Sequence, residues 1–224
     1  MTPIGKKKLV NSLWSLVYLA LVIAIVVSAT SIFKNFYYES VYVSGESMNP
    51  TFCGVDIYED GELVPSHDYG VIDKDYGARK NIKRYQVVTT YYPGDPVDRQ
   101  YATYKIKRVI AKPGEKFKIE NYHLYLFNEK EGSWGEALEM PFERNTKTNK
   151  HQNYPVTTLA NDEYFLAGDN WDNSYDCFDI GPINFDLLVG VVVKMEGRCI
   201  VQNGKVLQKE RYKDGNHFFM GVDY

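Results

Sequence analysis

The 224-residue chain has little of what would make several function classes plausible. It carries three cysteines, Cys53, Cys177 and Cys199, an odd number without a C-x-x-C pair, which fits neither a disulfide framework nor a zinc site. Its four histidines, His67, His123, His151 and His217, are scattered without metal-ligand spacing. There is no basic excess: the formal net charge is −3 and the pI about 5.9, which argues against nucleic acid as a partner. Repeats and low-complexity tracts are missing too. Uncharged length is also scarce, with one exception.

Leu9 to Phe33 is 25 residues without a charge, rich in Leu, Val, Ile and Ala. About 20 helical residues cross the ~30 Å hydrocarbon layer, so this stretch is long enough to span with some tilt. Lys6, Lys7 and Lys8 precede it, and an excess of basic residues stays on the cytoplasmic side. The expected organisation is a cytoplasmic tail at 1–8, a single-pass signal-anchor at 9–33 and an extracytoplasmic domain at 34–224. Trp14 and Tyr18 are candidate interface anchors. A cleaved signal peptide, ending near Val27-Ser28-Ala29, is the competing reading. The apolar stretch exceeds the ~7–15 residues of such a peptide's core, which favours retention.

Beyond the anchor the pattern is mostly β. Strands are expected at Val41–Val43, Tyr85–Tyr92, Tyr101–Ala111, Tyr164–Ala167 and Leu187–Met195. A hairpin is expected over Phe117–Phe127, turning near Glu120-Asn121, and another in the tail beyond Gln202. Gly54 to Lys83, polar and glycine-rich, reads as an excursion from the domain, and Asn128 to Asn161 as an inserted surface subdomain.

Three segments carry candidate chemistry. In Gly45-Glu46-Ser47-Met48-Asn49-Pro50-Thr51, the glycine permits a tight turn, and the amides of Gly45 and Ser47 are candidates for an oxyanion hole. Met48 and Phe52 are expected to supply an apolar wall. In Tyr104-Lys105-Ile106-Lys107-Arg108-Val109, strand alternation puts Lys105 and Lys107 on one face. Either becomes a base for Ser47 once burial strips its proton, and spacing does not choose between them. Gly168-Asp169-Asn170-Trp171-Asp172-Asn173-Ser174-Tyr175-Asp176 reads as a structured turn. Without the central glycine and terminal glutamate of an EF-hand, it does not fit a calcium loop.

In this order, behind an apolar anchor, the three segments resemble the motifs of type I signal peptidases, over roughly Val41 to Met195. The resemblance implies a mainly β fold of antiparallel sheets, with 128–161 as a small cap subdomain, and it implies no metal or organic cofactor. It implies Ser47 as nucleophile, Lys107 rather than Lys105 as general base, Ser174 as a hydroxyl orienting the lysine, and Gly45 and Ser47 in the oxyanion region. The implied partners are signal-peptide-bearing preproteins, the lipid membrane and the secretion machinery. Two positions depart from the pattern: Trp171 and Phe178 stand where the family commonly has arginines. Loss of the second arginine leaves Asp176 without that partner, and Arg108 is the candidate replacement. A non-catalytic relative assisting surface-protein or pilus assembly is the alternative.

Overall fold

The computed structural model describes residues 3–95, 103–148 and 150–213, with side chains from residue 13 onward. The chain divides into two units, Met1–Tyr38 and Glu39–Tyr224. The first is essentially one helix, α1, Pro3–Tyr37. Its Leu13–Tyr37 portion is long and apolar enough to cross a membrane, by length and composition.

The second unit is built from antiparallel strands: β1 Tyr38–Tyr42, β2 Ile57–Glu59, β3 Glu62–Val64, β4 His67–Asp73, β5 Val87–Thr90, β6 Lys105–Ala111, β7 Lys116–Glu120, β8 His123–Asn128, β9 Ser133–Trp134, β10 Tyr154–Thr158, β11 Glu163–Ala167, β12 Ile183–Asn184, β13 Leu188–Gln202 and β14 Lys205–Arg211. Two short α-helices, α2 (Tyr76–Lys80) and α3 (Cys177–Ile180), and a short 3-10 helix at Phe185–Leu187 accompany them among the described residues. The main sheet runs β1-β4-β13-β5-β6-β11-β12, with β14 added to the far end of β13. A four-stranded sheet, β10-β7-β8-β9, lies beside it, and β2–β3 form a small ribbon.

Neighbouring residues of β5 serve opposite faces, as the two-residue period of a strand requires. Val88 belongs to the larger core, with Val109, Phe117, Ile119, Leu124, Phe165 and Trp171. Val87 belongs to the other, with Val43, Met48, Phe52, Ile72 and Val192.

Most expected strands are present with shifted ends. Tyr101 and Ala102, the expected start of β6, lie outside the described residues. The Phe117–Phe127 hairpin forms, turning through Asn121 and Tyr122 at positive φ of 49° and 66°. The tail hairpin forms at Asn203-Gly204, φ 50° and 72°. The small sheet starts at Lys116, earlier than the expected insertion at Asn128.

Gly54 to Lys83 is not an excursion. It contains β4, an interior strand between β1 and β13 whose polar residues are buried. Their hydrogen bonds explain how they tolerate it: His67 Nδ1 meets Val43 O at 2.9 Å, and Asp68 Oδ2 accepts the Cys53 amide at 2.7 Å. Gly70 is required by close approach, since a Cβ there would sit 2.2 Å from Lys194 O.

Candidate active site

The loop that carries Ser47 runs from β1 back toward β4 and is plugged into the smaller core. Met48 and Phe52 are 0% and 1% exposed, and the Phe52 amide donates to Met48 O at 2.9 Å. Each buried side chain contributes about 2 kcal/mol, so these residues anchor the loop from beneath rather than walling the site. Gly45 has φ +95°, a conformation suited to glycine. Its amide donates to Gly54 O at 2.7 Å, which corrects the expectation that it faces the oxyanion region. The Ser47 amide donates to no described residue and remains available.

From β6, Lys107 reaches the same point. Its Nζ lies 2.7 Å from Ser47 Oγ, the amine's one hydrogen bond among the described residues. Lys107 is 4% exposed, and burial lowers its pKa to about 8 against the pull of Asp176 and Asp169, with Lys105 adding to the lowering. At pH 7 roughly one amine in ten is then neutral, against about one in 3,000 at an ordinary lysine pKa of 10.5. Lys105 instead lies over the Tyr92 ring, 5.9 Å from its centroid.

The third segment wraps both groups. Gly168 is forced by crowding: a Cβ there would fall 2.2 Å from Ser47 O and 2.5 Å from Ser174 Oγ. Asn170 donates its backbone N–H to Ser47 O and its Nδ2 to Glu46 O, each at 3.0 Å. The Ser174 hydroxyl donates to Asp176 Oδ2 at 2.5 Å, and among the described residues it makes no hydrogen bond with Lys107. The same carboxylate accepts the Gly168 and Phe178 amides, at 2.8 and 3.1 Å, and so caps α3. Asp176 is thus satisfied without an arginine.

Arg108 does not replace that partner. It forms a bidentate pair with Asp169, Nε–Oδ1 2.8 Å and Nη2–Oδ2 2.6 Å, and donates to Tyr85 O at 2.8 Å. Thr51 also donates to Asp169, tying the end of the nucleophile motif to the third segment. Trp171 and Phe178 prove to be one coupled departure: their rings meet at 5.0 Å, and the Arg144 guanidinium lies 5.0 Å over Trp171. Aromatic packing occupies this corner, with a cation delivered from the 128–161 segment.

Cys177 is fully buried, and burial pushes its thiol pKa well up, so it is no competing nucleophile. His151, Asp176 and Asp179 bring possible metal-ligating atoms within 4.8 Å of one another. Asp176 is already engaged as described, and the Lys150 amine stands 3.8 Å from Asp179. Val41, Ser44, Thr89, Tyr104 and Ile106 line a groove of about 410 Å3 along β1, the terminal strand of the main sheet; Ser44 lies three residues before Ser47, and Ile106 directly precedes Lys107.

Sequence reasoning missed Asn145 and Arg144, and it gave Thr51 no role beyond its place in the Gly45–Thr51 segment. Neither Asn145 nor Arg144 carries a local signal, because each acts on a segment far away in the chain.

Comparison with known proteins places this site in context. The family model described as "Signal peptidase, peptidase S26" matches residues 13–196. Signal peptidase I V of Bacillus subtilis (strain 168) is 28% identical over 174 residues, 73% of this chain and 88% of the relative. Signal peptidase I P of Bacillus subtilis subsp. natto is 24% identical over 164 residues, 70% of this chain and 74% of the relative. The crystal structure of a signal peptidase I from Enterococcus faecalis V583 is similar at 20% identity and a TM-score of 0.39, covering 50% of this chain and 97% of that one.

Proposed function

The chain belongs to the signal peptidases of peptidase family S26, and from that premise we propose that it is a membrane-bound endopeptidase removing N-terminal signal peptides from exported preproteins through a Ser47–Lys107 dyad. The observation that carries this reading is the 2.7 Å contact between a buried lysine amine and Ser47 Oγ. A lysine kept dry and partly neutral is costly to the fold, and a base is what it becomes useful for.

Neutral Lys107 takes the Ser47 proton as Oγ attacks the scissile carbonyl. The tetrahedral oxyanion is held by the Ser47 amide, an interaction of a kind worth about 3–4 kcal/mol. Lys107 then gives its proton to the departing amine of the mature protein. Water, deprotonated by the same lysine, attacks the acyl-enzyme and frees Ser47. Ser174 supports the lysine side indirectly, by holding the Asp176 carboxylate.

The outer edge of β1 suits substrate in extended form, because a terminal strand offers unpaired backbone groups to a peptide that pairs alongside it. Small side chains near the cut would enter the groove of about 410 Å3. With Lys6, Lys7 and Lys8 on the cytoplasmic side, α1 would leave the catalytic unit outside, where signal peptides emerge. Secretion machinery is the natural neighbour there. Cleavage of a preprotein by detergent-solubilised full-length protein, set beside Ser47→Ala, tests the reading. Loss in the variant supports it, and retained cleavage refutes it. A non-catalytic role in pilus or surface-protein assembly would leave the buried amine unexplained.

A further inference from the structure

We propose that Asn145 is a positioning residue for the oxyanion hole, acting through Asn170 on the peptide bond that joins Glu46 to Ser47. The proposal rests on the dyad reading and extends it to a residue outside the three motif segments.

The N–H of that peptide is the Ser47 amide, the donor assigned to the oxyanion. A peptide group is planar, so whatever fixes its carbonyl fixes the direction of its N–H. The Glu46 carbonyl accepts two hydrogen bonds, from the Asn49 amide and from Asn170 Nδ2, both at 3.0 Å. The next carbonyl, Ser47 O, accepts the Asn170 backbone N–H at 3.0 Å. Asn170 therefore holds the peptide planes on both sides of the nucleophile. It is 4% exposed and has little room to swing.

An asparagine amide has two ends that are interchangeable in shape but opposite in chemistry. Asn170 is useful only with its NH2 toward Glu46 O; reversed, it would set oxygen against oxygen. Asn145 sets that choice, because its Nδ2 donates to Asn170 Oδ1 at 3.1 Å. Two further hydrogen bonds hold Asn145 against the third segment: its amide donates to Asp169 O at 3.0 Å, and its carbonyl accepts the Asp172 amide at 3.2 Å. The result is a line of donors running from Asn145 through Asn170 and the Glu46 carbonyl to the Ser47 N–H. Each bond polarises the next in one direction. Hydrogen bonding at the carbonyl also makes the peptide N–H a better donor to negative charge.

Nearby contacts provide a control. Thr148, on the same segment, donates its hydroxyl to Asp172 Oδ1 at 2.7 Å and lies off this line. Thr148→Ala removes a hydrogen bond to the Asp172 side chain and leaves every hydrogen bond of the relay in place.

The test is steady-state cleavage of a preprotein by the detergent-solubilised full-length enzyme, with Asn145→Ala, Thr148→Ala and Ser47→Ala alongside. Losing an oxyanion donor outright costs about 10²–10³ in kcat, so its misorientation in Asn145→Ala is expected to cost roughly tenfold. KM should stay within about twofold, because an interaction made in the transition state leaves ground-state binding alone. The pH midpoint of the rate should not move, since Asn145 carries no charge and does not touch Lys107. Affinity for a peptide aldehyde, whose adduct with Ser47 presents an oxygen to the same hole, should fall by the same factor as kcat. Thr148→Ala should behave as the parent.

An Asn145→Ala enzyme with unchanged kcat overturns the relay. So does a loss carried by KM or accompanied by a moved pH midpoint, since that reports general loosening. If Asn145→Ala does not fold, Asn145→Leu, which keeps the shape and lacks the donor, carries the same expectation. Cleavage that survives Ser47→Ala overturns the dyad reading and the relay with it. Cleavage lost in Ser47→Ala but unaffected in Asn145→Ala overturns the relay alone.

Discussion

Replacing Lys107 by methionine is expected to make the protein more stable and inactive. In the unfolded chain the lysine keeps a pKa near 10.5; in the folded protein burial brings it to about 8. Below pH 8 the amine is protonated in both states, and the folded state bears the full cost of confining a charge. A 2.5-unit difference corresponds to about 3 kcal/mol, nearly all of it present at pH 7. The sign follows from proton binding. Between pH 8 and 10.5 the unfolded state holds more protons, so this lysine's penalty shrinks as pH rises and is gone above 10.5. The methionine side chain keeps the apolar stem and loses the hydrogen bond to Ser47, which offsets about 1 kcal/mol. The net gain is about 2 kcal/mol at pH 7, or roughly 4–8 °C in Tm for a domain of this size. Thermal unfolding of detergent-solubilised parent and Lys107→Met protein from pH 7 to 10 measures it, with the two curves converging as pH rises. A variant no more stable than the parent at pH 7, with the gap constant across that range, would refute the reasoning.

Three further outcomes follow from the packing. Gly168→Ala should cut activity more than tenfold and lower Tm, because its Cβ must displace Ser47 O at 2.2 Å; assay and melting of one preparation check both. Asp169→Asn leaves Arg108 buried without its counter-charge, a change that typically costs about 3–5 kcal/mol, read from a denaturant midpoint. Trp171→Arg, which restores the residue the family commonly has, should destabilise this chain, since Arg144 already stands 5.0 Å from that fully buried site. Removing the resident cation as well, in Trp171→Arg with Arg144→Ala, should recover part of the lost Tm.

The contrast between what the sequence exposes and what it hides has physical causes. Ser47 and Lys107 are legible because each sits in a short segment whose local pattern, a glycine turn or an alternating strand, already constrains it. The choice of Lys107 over Lys105 needed family resemblance: alternation puts both on one face, and the distance to Ser47 that separates them is set by tertiary packing. β4 was hidden because His67 and Asp68 look like surface residues until their buried hydrogen-bond partners are seen. Gly45 fits a turn, but which way its amide points depends on Gly54 across the loop. The departures at Trp171 and Phe178 read as two losses; packed together under Arg144 they are one substitution of aromatic for ionic packing. Asn145 is invisible locally, since its partner is 25 residues away.

The dyad itself is tested most directly by cleavage of a signal-peptide-bearing preprotein by the detergent-solubilised full-length protein from pH 6 to 10, with Ser47→Ala and Lys107→Met in parallel. The parent rate is expected to rise with pH through a midpoint near 8 as Lys107 loses its proton, with no cleavage by either variant. Cleavage retained by Lys107→Met, or a parent rate flat across that midpoint, would contradict it.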